Sequence, residues 1–249
     1  MALRICTYNI HKGFSQFNRR MVIHELRERL HSLDVDVVFL QEVMGMHVRH
    51  EITHPDWPRN PQHEFLAHEV WHQTAYGRNA VYDHGHHGNA ILSRFSILSE
   101  HNQDVSDHRF ERRGLLHCEL EVPGVSGPVH CVCVHLGLMG GSRRRQMEAL
   151  ADRMEQLAPD GAPLIIAGDF NDWRNHAEHV LARRLGLVEV FGTGIGRPAR
   201  SYPSRLPMLR LDRIYVRGFQ IERADVHCGL PWSRISDHAA LTAELEPSR

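Results

Sequence analysis

Apolar and polar positions alternate over residues 3 to 10, which predicts a strand ending at Tyr8-Asn9-Ile10-His11-Lys12-Gly13. From Arg20 to Leu33, the residues Val22, Ile23, Leu26, Leu30 and Leu33 recur at helical spacing among charges and predict an amphipathic helix. The run Val35-Asp36-Val37-Val38-Phe39-Leu40 then reads as a buried strand that ends at Gln41-Glu42-Val43. Strand, helix, strand is the pattern of a crossover unit.

Residues 44 to 64 are rich in His, Pro, Asn and Arg around Trp57, lack periodicity and read as a long surface loop. Strands are expected at 76–82 and 89–94, on either side of a turn-like Asp83–Gly88 whose glycines would let a substrate approach closely. Segments 97–105, 114–122 and 129–136 alternate between turns and predict antiparallel neighbours, the last leaving His135 near its end. A helix is expected from Arg143 to Leu157, with Ser142 as N-cap and the Arg143-Arg144-Arg145 triplet on a solvated face, a phosphate contact being the alternative for the triplet.

The clearest strand is Leu164-Ile165-Ile166-Ala167, which stops at Gly168 and hands over to Asp169-Phe170-Asn171-Asp172. Asp169 and Asn171 are alternate residues, so an extended chain would point both the same way, toward one water or one metal-bound oxygen. A helix at His176–Leu185, a Gly/Pro/Arg-rich connection at 192–210, a strand at 211–216 and a segment from Gly229 into a closing strand complete the pattern. No linker or repeat interrupts it, and residues 1–249 are expected to form a single domain.

Composition removes several function classes. A hydrophobic share of 42% and a charged share of 24% are those of an ordinary globular chain, and no apolar run reaches the roughly 20 residues of a membrane span. The N-terminus has no basic segment leading into a long apolar one, so a cytoplasmic location is expected. The formal net charge of -1 provides no global positive field for non-specific DNA binding. The five cysteines lack zinc-finger spacing and read as reduced core thiols. The 21 histidines read mainly as scattered, solvated groups that titrate near neutrality. A zinc or manganese hydrolase built on His86 and His87 is a separate reading of the His-rich middle.

The polar groups at strand ends form an ordered set: Asn9, Glu42, His135, Asp169 with Asn171, Asp212, and Asp237 with His238. Glu42 has no obvious local basic partner, which favours a bound cation over an ion pair. Such a set suits phosphoester hydrolysis, where charge accumulates on phosphoryl oxygens while a carboxylate handles the attacking water.

In the contexts Tyr-Asn-Ile, Leu-Gln-Glu-Val, Gly-Asp-Phe-Asn, Leu-Asp-Arg-Ile and Ser-Asp-His, the set resembles the endonuclease/exonuclease/phosphatase superfamily over nearly the whole chain. That resemblance implies an α/β fold, a four-layer sandwich of two central mixed sheets flanked by helices, with the site at one end between the sheets. It implies Mg²⁺, or Mn²⁺ in its place, at Glu42 with Asn9 and Asp237 close by. Asp169 would orient or deprotonate water with support from Asn171. His238, held by Asp212, would contact the scissile phosphate, and His135 would donate to a non-bridging oxygen. His11 stands where apurinic-type nucleases carry a further acidic ligand. The expected activity is a metal-dependent phosphodiesterase, with a nuclease among its forms. The alternatives are a phospholipid or small-molecule phosphodiesterase or phosphatase, and a non-catalytic phosphoester-binding protein. Substrate, cleavage direction, metal count and oligomeric state are not encoded in these motifs.

Overall fold

A computed structural model describes residues 2–248. The first part of the chain runs β1 (Leu3–Asn9), α1 (Ile23–Ser32), β2 (Val37–His47), α2 (Val48–Thr53), α3 (Gln62–Ala67), β3 (Gln73–Tyr82) and β4 (Gly85–Ser93). It continues as β5 (Ser96–Asp104), β6 (Gly114–Glu121), β7 (Val129–His135), α4 (Gly140–Leu157) and β8 (Leu164–Asp169). The last part is α5 (His176–Leu185), β9 (Val188–Glu189), β10 (Asp212–Arg217), β11 (Phe219–His227) and β12 (Ala240–Pro247). One six-stranded sheet has the order β11-β12-β1-β2-β4-β3 and the other β5-β6-β7-β8-β10-β9. Both sheets are mixed, because β1–β2 and β7–β8 are parallel pairs among antiparallel ones.

Strand alternation explains the layers. Ile5, Phe39 and Ile91 of the first sheet meet Leu116, Cys131, Ile165 and Ile214 of the second in one buried core. The opposite face of the first sheet, with Tyr8, Val38 and Leu40, is covered by Leu26 and Leu30 of α1 and Leu66 of α3. The outer face of the second, with Val132, Val134 and Ile166, is covered by Leu150 and Met154 of α4 and Leu181 of α5. Two central sheets flanked by helices are therefore the architecture, as the resemblance implied. Among the described residues, no helix is long and apolar enough to cross a membrane.

Several local expectations are corrected. β2 does not end at Glu42: it continues to His47 through a register shift between Leu40 and Val43, and Glu42 sits there with φ 56°. The 44–64 segment contains the end of β2, α2 and the start of α3. Trp57 is buried against Phe14 and Met44 rather than presented on a loop. Gly85–Gly88 belongs to β4, and a Cβ on Gly88 would come 1.8 Å from the Gly77 carbonyl oxygen, so that glycine admits a neighbouring strand and not a substrate. α4 starts at Gly140, so Ser142 lies within the helix, where its hydroxyl donates to Asp107. Arg143 is buried and donates to the Gly137 and Leu138 carbonyls. The edge strand β11 has no counterpart in the apolar pattern. Cys228 is exposed, whereas Cys6, Cys118, Cys131 and Cys133 are buried. Several histidines expected in solvent are buried too, among them His63, His117 and His130.

Candidate active site

The central strands of both sheets end in polar residues at one end of the sandwich, and pairing fixes their relative positions. His135, the last residue of β7, lies opposite Asp169, the last of β8, and Asp169 lies opposite Asp212, the first of β10. In the other sheet Asn9, the last of β1, lies opposite Gln41, one residue before Glu42. The segment ahead of β12 is tied to this end by Ser236, whose hydroxyl donates to the Asn9 carbonyl at 2.7 Å and accepts from the His238 amide at 3.2 Å.

Side chains from three places then meet at the Asp169 carboxylate. Asn9 Nδ2 donates to Oδ2 at 3.1 Å, His135 Nε2 lies 3.4 Å from that oxygen and His238 Nε2 lies 3.8 Å from it. His238 Nδ1 is 2.8 Å from Asp212 Oδ2, which leaves Nε2 facing Asp169. Asn9 Nδ2 also reaches Glu42 Oε1 at 3.4 Å. Asp237 Oδ1, a buried oxygen without a hydrogen bond, lies 3.4 Å from His11 Nδ1. Asn171 joins differently from the alternation argument. The chain turns at Asn171 (φ 50°), its amide donates to Asp169 Oδ1 at 3.0 Å, and its side chain donates to the Leu136 carbonyl.

Backbone conformation contributes directly. Gly168 has φ 151°, and a Cβ there would lie 1.9 Å from the Val134 carbonyl oxygen, so only glycine lets β8 pass this close to β7 just before Asp169. Glu42 in left-handed backbone at a bulge is a costly conformation for a side chain of its type, and bulges of this kind re-aim side chains next to sites.

The electrostatics separate the groups. Burial opposes ionisation of Glu42, but the positive charges of Lys12 and His238 beside it hold it below the ordinary carboxylate range. Burial pushes Asp169 well above the ordinary carboxylate range, against the pull of His238. Burial would lower His238, yet Asp212 and then Asp169 raise it above an ordinary imidazole. Burial, reinforced by Arg113, keeps His135 well below the usual range and therefore neutral. The result is a cationic His238 beside a neutral His135.

Lys12 Nζ lies 3.4 Å from Glu42 Oε2, so this carboxylate does have a basic partner, 30 positions earlier in the chain. Lys12, Arg113, Ser201 and Ser236 escape sequence reasoning. Ser201, whose hydroxyl accepts from the Asp212 amide at 3.1 Å, lies in an irregular connection with no pattern to single it out. Ser236 had a signal, since it begins the Ser-Asp-His motif.

Among the described residues, two groups of three metal-ligating side chains occur: Asp169, Asp212 and His238, and His117, Glu119 and His130 on β6 and β7. His86 and His87 belong to neither. In the second group the rings of His117 and His130 are stacked, with Nε2 and Nδ1 3.0 Å apart. At the strand-end site, Glu42 and the Asp237 oxygen that makes no hydrogen bond offer carboxylate oxygens, which suit a hard divalent cation better than a thiophilic one.

The sequence profile described as "Endonuclease/Exonuclease/phosphatase family" matches residues 6–238. The chain is 47% identical to the YbhP protein of Escherichia coli K12 over 98% of its own length and 96% of that protein's. It superposes on an endonuclease/exonuclease/phosphatase structure from Bacteroides vulgatus with a TM-score of 0.77 at 15% identity, covering 100% of both chains. It also superposes on a mannosyl-6-phosphatase from Bacteroides thetaiotaomicron with a TM-score of 0.72 at 16% identity, covering 98% and 99%. At such identities the structural likeness is one of fold.

Proposed function

The chain belongs to the endonuclease/exonuclease/phosphatase family, and on that premise we propose that it is a divalent-metal-dependent hydrolase of phosphoester bonds, with a phosphodiester as the leading substrate class. The observation that carries this reading is the convergence of Asn9, His135 and His238 on one carboxylate, Asp169, from separate strands and loops.

Glu42, Asp237 and Asn9 would hold the cation, whose chemistry would be to neutralise charge on the phosphoryl oxygens and organise the substrate. Asp169 Oδ2 accepts the proton of the attacking water. Its raised proton affinity suits that role, and the Asn171 amide on Oδ1 fixes the carboxylate plane. Asp212 holds Nδ1–H and fixes the ring orientation of His238, which as imidazolium presents Nε2–H to a phosphoryl oxygen. Neutral His135 donates its Nε2–H to a second, non-bridging oxygen. Attack of this water forms a new P–O bond as the ester P–O bond on the far side of the phosphorus breaks, and the departing oxygen takes its proton from solvent, while the two histidines hold the non-bridging oxygens beside Asp169.

The test is hydrolysis of an aryl phosphodiester with Mg²⁺, with Mn²⁺ and with a chelator. Turnover is expected only with metal, and Asp169→Asn is expected to lower kcat on the order of 10²-fold or more. Full activity in Asp169→Asn, or no cleavage of any phosphoester across nucleic acid, lipid and small-molecule substrates, would overturn the reading.

A further inference from the structure

Exposed large apolar side chains are concentrated on one end of this molecule. Among the described residues, all but Leu98, Val188 and Ile195 lie in segments at the end of the sandwich that carries Asn9, His135, Asp169 and Asp212. Phe17 lies between β1 and α1, Ile52 on α2 beyond β2, and Phe110 between β5 and β6. Met139 follows β7, Trp173 follows β8, and Leu206 lies on the approach to β10. These side chains are far out in solvent: Phe17 is 71% exposed, Ile52 79% and Phe110 84%. Among the described residues, the turns at the opposite end, including 33–36, 122–128 and 158–163, carry no exposed large apolar residue.

Arginines are interleaved with them. The Arg19 guanidinium lies 5.4 Å from the Phe17 ring centre and that of Arg109 4.8 Å from Phe110. Arg49, Arg112, Arg144, Arg174 and Arg205 are exposed in the same segments. With Arg19 and Arg109 they outnumber the exposed acidic Glu51, Asp56, Asp83, Asp104 and Asp107 there, while the opposite turns carry exposed Glu121 and Asp160. The near-zero net charge therefore conceals a basic, apolar rim around the site.

This pairing discriminates between anionic partners. A nucleic-acid backbone is bound through arginines, with aromatic rings stacking on bases. Aliphatic tips such as Ile52, Met139 and Leu206 engage nucleic acid only as wedges between base steps, not through the backbone that the arginines would bind. A lipid interface accepts both: apolar tips enter the headgroup–acyl boundary and guanidinium groups pair with anionic headgroups. We infer that this end of the molecule docks on an anionic phospholipid surface and takes its phosphoester from a lipid headgroup; the second part rests on the hydrolase reading above, the first does not.

The experiment is co-sedimentation of the full chain with vesicles of phosphatidylglycerol mixed into phosphatidylcholine, and with phosphatidylcholine alone. Binding is expected on the anionic vesicles and weaker binding on the neutral ones. The triple variant Ile52→Ser, Phe110→Ser, Leu206→Ser should lose on the order of tenfold in partition while hydrolysing a soluble aryl phosphodiester as before. Phe110→Ser alone, at the most exposed position, serves if the triple variant does not fold. Retention of vesicle binding by Asp169→Asn supports docking whatever that variant's turnover. Failure of the wild-type chain to sediment with anionic vesicles at low salt, or equal binding by the variant, overturns the proposal. So does a parallel loss of single-stranded DNA affinity with no loss of vesicle binding, which would make nucleic acid the rim's ligand.

Discussion

Asp169 and Asp212 face each other across β8 and β10 as direct antiparallel partners, and His238 lies between their carboxylates, 3.8 Å from one and 2.8 Å from the other. Two buried carboxylates this close require a shared cation, and His238 supplies it. Their roles diverge because Asp212 holds Nδ1 while Asp169 faces Nε2 and the open end of the site.

That relationship gives a pH signature. Asp212 is the largest of the three charges that raise His238, ahead of Asp169 and Asp237, so Asp212→Asn should let its proton affinity fall. The imidazolium is present below its own pKa and lost as pH rises through it. The alkaline limb of the rate profile should therefore move to lower pH in Asp212→Asn, and kcat at neutral pH should fall on the order of 10²-fold. A reduced rate with an unmoved alkaline limb would mean that Asp212 acts only on packing.

The strand-end residues of this site are legible in the sequence because each ends an apolar run. Leu164–Asp169 shows this most clearly, since a buried strand that stops at glycine leaves its next polar residue at the sheet edge. Glu42 is legible as a polar residue but not as a bulge: Gln41-Glu42 looks like a strand terminus, yet Gln41 is buried and donates to Thr7 and Phe39, which lets β2 continue. β11 is illegible because it pairs with β12 alone and its register shifts between Ile221 and Arg223, so no steady alternation survives. Arg143 sits in a triplet that reads as solvated, and only the tertiary placement of the Gly137 and Leu138 carbonyls draws it inside. Lys12 and Arg113 act at the site through long-range packing, for which no local pattern exists.

Glu42 is the carboxylate expected to carry most of the cation's affinity, because its low proton affinity keeps it ionised at any working pH. Glu42→Gln removes the charge and keeps the shape. The Mg²⁺ concentration for half-maximal activity should rise by at least the roughly 10–100-fold that loss of an outer partner costs a metal site. The rise of Tm with Mg²⁺ should shrink in parallel. An unchanged Mg²⁺ dependence would place the cation elsewhere.

Acid stability should depend on the buried histidines. His63 stacks on Tyr76 with ring centres 4.7 Å apart, and burial pushes it down to about 4. Unfolding returns it to its ordinary value of 6.5, so between the two values the unfolded chain binds more protons. Stability from this group is complete above about pH 6.5 and drains away as pH falls toward 4. His63→Phe should reduce the loss of Tm across that window by on the order of a few °C, measured by thermal melts at closely spaced pH. A variant whose Tm falls as steeply as the wild type would show that His63 takes no part.

Gly168 couples the fold to the chemistry most directly. Any side chain there meets the Val134 carbonyl oxygen, a backbone atom of the central pair β7–β8 that cannot step aside without breaking the parallel pairing. Its φ of 151° adds strain for every residue but glycine. Gly168→Ala should therefore destabilise the protein by about 3 kcal/mol, the upper range for forcing atoms into a packed interior. The displacement falls on the residue before Asp169, and His135 lies on the strand that must move. Activity should consequently drop more than the unfolded fraction accounts for, as measured by kcat on folded protein at a temperature well below its Tm. Destabilisation with full kcat would mean that the β7–β8 contact holds the sheet together without setting the position of the carboxylate.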